Sequence, residues 1–224
     1  MTDVDARLLS LVDDVRQDVD TLHNPYFQAL ASKTFERDAF VRSQVQFFSA
    51  VTFFGRPMAT LASKVDDLPL RTELMRNVWE EHGEGLSTHT HTHTFLQLLA
   101  KLGVDSDEVF AVPPGPSVRA FNVALQGACV VEDVDVGLCV MGIIERTFAD
   151  LSRAIGLGIV DNGWLREDEV VHYKVHESLD IKHADDFFAA VTLDDDNLGT
   201  LRSHLQLGAH LFDQLYRSLF IECA

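Results

Sequence analysis

Along almost the whole chain, apolar residues recur at the three-to-four-residue spacing of an α-helix, and nowhere do they alternate long enough to make a convincing strand. This periodicity predicts an all-α protein. Seven segments carry it: Val4–Leu22, Glu36–Val65, Pro69–Leu102, Ser117–Val131, Asp135–Leu157, Arg166–Val191 and Asn197–Ile221. Gly103 suits the end of the third, and the His82-Gly83-Glu84-Gly85 stretch inside it is weak helix, predicting a distortion there. The strongest breaker is Val112-Pro113-Pro114-Gly115-Pro116, a loop. About seven helices with short connections make a bundle, and no repeat or long linker divides residues 1–224, so a single helical domain is expected.

Charge narrows the partners. With 18 basic against 35 acidic residues the formal net charge is −17, which disfavours nucleic acid and anionic membrane surfaces. Cys129, Cys139 and Cys223 form no CxxC pair or disulfide framework, and the acidic N-terminal stretch lacks the features of a signal peptide. A cytoplasmic protein is expected. The longest apolar run, between Val134 and Ile144, is too short to span a bilayer.

Seven of the ten histidines fall in two short windows, each rich in carboxylates. On a helix, His176, Asp180 and His183 share an arc of roughly 60°, which stacks two imidazoles and a carboxylate on one face. Neutral imidazole with carboxylate suits iron, manganese or zinc. The plainer alternative is a local Asp–His pair on a half-exposed helix. Glu145 argues against it, for its helical neighbours Met141, Gly142, Phe148 and Ala149 make it a carboxylate in an apolar stripe. Such a group costs several kcal/mol, or shifts its pKa, unless a cation meets it. Arg146, about 100° away, is poorly placed to be that cation, so a metal or an arginine from another helix must serve. In the first window Glu80, Glu81 and Glu84 compete as carboxylates, and His82, His89, His91 and His93 as imidazoles. Helical geometry does not choose between His89 and His91, each about 80° from Glu81.

Taken together, NVWEEHGEG, HTHTF, GIIERTF and VHYKVHESLDIKHADDFF resemble the haem-oxygenase-like diiron oxidase and oxygenase family, which is related to thiaminase II and to the pyrroloquinoline-quinone biosynthesis protein C. HNPYFQALASKTFERDAFVRSQVQFF extends the likeness into the N-terminal third. The resemblance implies a haem-oxygenase-like bundle of seven helices whose interior holds a dinuclear site. It implies Glu81, His91, Glu145, His176, Asp180 and His183 as metal ligands, with Phe95 matching the family's aromatic four residues after the histidine. It also implies two iron ions, with manganese as the alternative, and Glu81, Glu145 and Asp180 as the catalytic carboxylates. One branch of the family converts its own tyrosine into para-aminobenzoate. Tyr26 stands at the matching place, but Ile155 replaces that branch's lysine.

The expected function is that of an O2-activating non-haem diiron oxidoreductase acting on a small amino-acid-, amine- or fatty-acid-like substrate, in a homodimer. Glu145, in its apolar setting, is the candidate bridging ligand. Phe47, Phe48, Phe53, Phe54 and Phe121 are candidate cavity lining, with ordinary core packing as the plainer role. Lys174 and Arg146 are candidate partners for a substrate carboxylate, with surface ion pairing as theirs. Two alternatives stay open: a metal-free thiaminase-like or cofactorless oxidase on the same fold, and a non-catalytic helical interaction module.

Overall fold

A computed structural model describes residues 4–223. Among the described residues there are ten α-helices, four single 3-10 turns and no strand. The helices are α1 (Ala6–Val19), α2 (Pro25–Ala31), α3 (Arg37–Lys64), α4 (Leu68–Glu81), α5 (His91–Lys101), α6 (Ser106–Ala111), α7 (Pro116–Val130), α8 (Val134–Asp161), α9 (Val171–Ala189) and α10 (Leu198–Cys223). The all-α expectation holds, and the number is higher than seven for a simple reason. Helices α2 and α6 span only seven and six residues, too short for apolar periodicity to register. The expected third helix is in fact two, α4 and α5.

Local chemistry sets the helix starts. Asp5 accepts from the Arg7 amide at α1, and Asn24, ahead of Pro25, accepts from the Tyr26 amide at α2. Asp67 accepts from the Leu70 amide at α4, and Asp105 forms a capping box with Glu108 at α6. Thr90 caps α5 by accepting from the His93 amide. This last cap matters most, because His91 is the first residue of that helix.

Between α4 and α5 the chain turns through Gly83, Glu84 and Gly85, all with positive φ (70°, 53° and 85°). Glycine adopts this region freely, whereas Glu84 occupies it at some cost. A Cβ at Gly83 would lie 2.5 Å from the Thr90 amide nitrogen, so only glycine lets the reversal close this tightly.

Helix α8 runs through the centre of the bundle and is buried along most of its length. Its packing partners include α9, α10 and α7. At Gly142 an added Cβ would come within 2.5 Å of Phe188 of α9, so the bare backbone is what admits that ring. The close approach brings Glu145, three residues on, against the inner face of α9. No helix among the described residues is long and apolar enough to cross a membrane.

Candidate metal centre

Four helices deliver the six expected ligands to one place. Glu81 ends α4, His91 begins α5, Glu145 lies mid-way along α8, and His176, Asp180 and His183 form a stripe on α9. His91, Glu145, His176, Asp180 and His183 are all buried, and the Glu81 side chain is 8% exposed. Ligand atoms of Glu81, Glu145 and His183 lie within 4.8 Å of one another. His183 Nδ1 is 3.6 Å from Glu145 Oε1 and 3.8 Å from Glu81 Oε1. The His91 and His176 rings stand 4.4 Å apart.

Each imidazole is fixed through one nitrogen. His91 Nδ1 donates to Glu81 Oε2 at 2.7 Å, and His176 Nδ1 donates to Asp180 Oδ1 at 2.7 Å. His183 Nε2 donates to Glu80 Oε2 at 2.8 Å. Lys182 holds that carboxylate at 3.2 Å while also reaching Asn77 at 3.0 Å and Asp186 at 3.1 Å. Glu80 thus stands outside the cluster and orients a histidine inside it, as carboxylates behind metal-bound imidazoles do. Its role was invisible in sequence, where Glu80 was one of three competing acids.

Several atoms of the cluster remain unpaired. Glu145 Oε1, His176 Nε2, Asp180 Oδ2 and His183 Nδ1 are all buried and have no hydrogen-bond partner. Buried polar atoms in a native fold are ordinarily satisfied, and unpaired ligand atoms on Glu145 and His183, grouped with Glu81 within 4.8 Å, are what a cation needs. No arginine neutralises Glu145; Arg146 turns outward to Asp185 at 4.0 Å.

The electrostatics agree. Burial, together with the nearby Asp180 carboxylate, pushes the Glu145 carboxyl up to about 7 against the pull of His183. Asp180 is likewise driven well above the usual carboxylate range, by burial and then by Glu81. Burial would lower the His183 imidazole, but Glu145, Glu81 and Glu80 outweigh it and hold it at about 9. Burial raises Glu81 too, yet the attraction of His91, His183 and His176 brings it down to about 2. Glu145 and Asp180 thus lack compensating positive charge, and a divalent cation would relieve both.

The chain matches a described family. The family model for iron-containing redox enzymes covers residues 42–217. The chain belongs to that family. Among its relatives, the 4-aminobenzoate synthase of Chlamydia muridarum (strain MoPn / Nigg) is 20% identical over 183 residues, 81% of this chain and 76% of that protein. The enzyme of the same name from Chlamydia trachomatis serovar D is 20% identical over 185 residues, 82% and 79% of the two chains. A CADD-like protein from Nostoc punctiforme superposes with a TM-score of 0.74 at 19% identity, covering 96% of this chain and 98% of that one. A domain with a heme oxygenase-like fold from Shewanella denitrificans gives 0.74 at 13% identity, with 96% and 89% coverage. A TenA homologue from Pseudomonas syringae pv. tomato gives 0.76 at 14%, with 98% and 94% coverage. At these identities the structures establish the haem-oxygenase-like fold.

In this member of the family a narrow cavity of about 40 Å³ opens onto the cluster. Glu81, His91, Glu145 and His176 form its polar wall, and the rest is apolar, including Phe47, Phe54, Phe121, Phe148 and Phe212. Three of the five phenylalanines expected as lining are therefore there. Phe48 instead stacks on Phe95, and Phe53 lies under the Arg56 guanidinium. Phe148 and Phe212, the missed ones, lie on α8 and α10 and carried no signal distinct from core. Neither Lys174, paired with Glu167 at 3.0 Å, nor Arg146 lines the cavity.

Proposed function

We propose that this protein is an O2-activating non-haem diiron oxidase or oxygenase, and that its substrate presents an apolar portion to the metal centre. The observation that carries the reading is the close grouping of Glu81, Glu145 and His183, with buried, partnerless atoms on Glu145, His176, Asp180 and His183. Glu81, His91, Glu145, His176, Asp180 and His183 would hold the ions: three imidazoles and three carboxylates without sulfur, a donor set that fits iron or manganese. A reduced iron pair bound there would supply the electrons for O2 reduction.

The protein's own residues supply the rest. Glu145, a buried acid close to His183, would help hold the cations. Glu80 and Lys182 hold the His183 ring so that Nδ1 faces inward, and Asp180 does the same for Nε2 of His176. The phenyl rings of the cavity exclude water from the reacting side. No lysine or arginine lines that cavity, so a carboxylate on the substrate would have to be taken up by the metal ions themselves.

Two other enzyme readings differ in residues that can be inspected. A thiaminase-type reaction needs a nucleophilic thiol, but burial pushes Cys129 and Cys139 up to about 12, and neither lines the cavity. For conversion of the chain's own tyrosine, Tyr26 is fully buried, hydrogen-bonded to Ser43 at 2.9 Å and Gln44 at 2.7 Å, and Ile155 sits in the core. An external substrate is the better reading. Anaerobic titration with Fe(II) should saturate at two ions per chain, and admission of O2 should then consume it. A chain that takes up no Fe(II), or takes it up without consuming O2, overturns the proposal.

A further inference from the structure

His172 is the histidine that the ligand set leaves over. It lies one turn before His176 on α9, is buried, and packs edge-on against Phe95 at 4.7 Å and His176 at 4.6 Å. Thr94 fixes its ring. Thr94 Oγ1 lies 3.2 Å from the His91 carbonyl and 2.9 Å from His172 Nδ1, and the tautomer that satisfies both contacts has the Thr94 hydroxyl donating to the carbonyl and His172 Nδ1 donating to Oγ1. With the proton on Nδ1, the lone pair of His172 sits on Nε2. That atom is buried and has no partner. A built, neutral, buried acceptor that satisfies nothing in the fold marks a place where something else docks.

His172 also lines a cleft of about 440 Å³ that begins at the turn between α4 and α5. Exposed Glu84 and His89 stand on its wall, and it ends at His91 and His176. Those two candidate ligands are the only lining residues that the cleft shares with the apolar cavity. The centre is therefore approached by two separate spaces of opposite character. In the apolar one, a cation would shed its hydration water with nothing to replace it before the ligands themselves. In the cleft, carboxylate and imidazole donors stand along the way.

We propose that this cleft is the path by which a divalent cation reaches the centre, with Glu84 and His89 as outer ligands in transit and His172 Nε2 as the inner one. The proposal rests on the metal-centre reading above. Glu84, in the positive-φ turn between α4 and α5, is exposed and lines the cleft.

Co(II), whose visible absorption reports coordination and which does not react with O2 on mixing, is the probe. Metal-free protein is mixed with it in a stopped-flow instrument. In His172→Phe, loading should slow by about tenfold or more. The number of ions bound and the equilibrium dissociation constant should stay the same, because a group used only in transit speeds arrival and departure alike. The double variant Glu84→Gln/His89→Gln, at exposed positions that do not threaten folding, should also load slowly, with a weaker dependence on ionic strength. It decides the matter if His172→Phe does not fold. Loading at the wild-type rate in the variants overturns the proposal. So does loss of affinity or of a bound ion in His172→Phe, which would make His172 a resident ligand. Wild-type protein that takes up no Co(II) removes the metal centre and the cleft together, whereas filling at equal speed in all variants removes the cleft alone.

Discussion

Replacing Glu145 by glutamine should stabilise the metal-free protein and at the same time abolish its response to iron. In the fold this carboxyl titrates at about 7 rather than at its ordinary 4.5, chiefly because it is buried. At about 1.4 kcal/mol per pH unit, its ionised form is disfavoured in the native state by roughly 3 kcal/mol. The direction follows from proton binding. Between 4.5 and 7 the folded chain holds this proton more tightly than the unfolded one, so stability falls as pH rises through that window and stays reduced above it. Glutamine cannot ionise and escapes the penalty. Metal-free Glu145→Gln should therefore match wild type near pH 4.5 and melt higher at pH 8, by less than the roughly 6 to 12 °C that about 2–4 °C per kcal/mol gives for this penalty alone, because the variant also loses the attraction between Glu145 and His183. Adding Fe(II) under anaerobic conditions should reverse the order. Wild type should gain about 2.7 kcal/mol at a free-ion concentration a hundred times its Kd, and the variant little. Scanning calorimetry at the two pH values, with and without Fe(II), reads all four states. A metal-free variant that melts below wild type at pH 8, or an equal gain from Fe(II) in both proteins, would refute the reasoning.

Further outcomes follow from the same geometry. Glu80→Gln should keep the fold but weaken Fe(II) affinity by about 10- to 100-fold, as measured by competition with a chromogenic chelator, because His183 loses the carboxylate that orients it. Fe(II) affinity should rise with pH, since Glu145, titrating at about 7, and His183, at about 9, must both release protons to bind a cation; proton release in calorimetry should accompany binding below pH 7 and diminish above pH 9. Gly142→Ala should cost about 1–3 kcal/mol in denaturant unfolding, because its Cβ would press to 2.5 Å of the Phe188 ring. Phe212→Ala should enlarge the apolar cavity and change which substrates support O2 uptake, while leaving Fe(II) stoichiometry at the wild-type value.

The parts of the site that could be read in the sequence are those carried by uninterrupted helices. His176, Asp180 and His183 lie on α9, where a fixed rotation per residue places them on one face, and Glu145 betrayed itself as an acid in an apolar stripe of α8. The Glu81–His91 pairing could not be reached that way. Its angular reckoning assumed one helix, whereas three successive positive-φ residues turn the chain back, bringing His91 Nδ1 to 2.7 Å of Glu81 and leaving His89 exposed. Family likeness, through Phe95, singled out His91 where geometry was silent. What sets Glu80 and His172 apart is not legible there for another reason: each is hydrogen-bonded to a residue distant in the chain, Glu80 to His183 and His172 to Thr94. Helix number was underread because α2 and α6 are held by caps and tertiary contacts rather than by periodicity.

The ligands are not equally anchored. α8 is buried over most of its length and α9 presses against it through Gly142, whereas the 14 residues of α4 contribute only Leu74 and Asn77 to the interior. Four of the six donors thus belong to a stiff wall, and Glu81 belongs to a lightly fastened strut. Ions bound between the two would act as a rivet, so that the event that equips this protein for redox chemistry would also complete its tertiary structure.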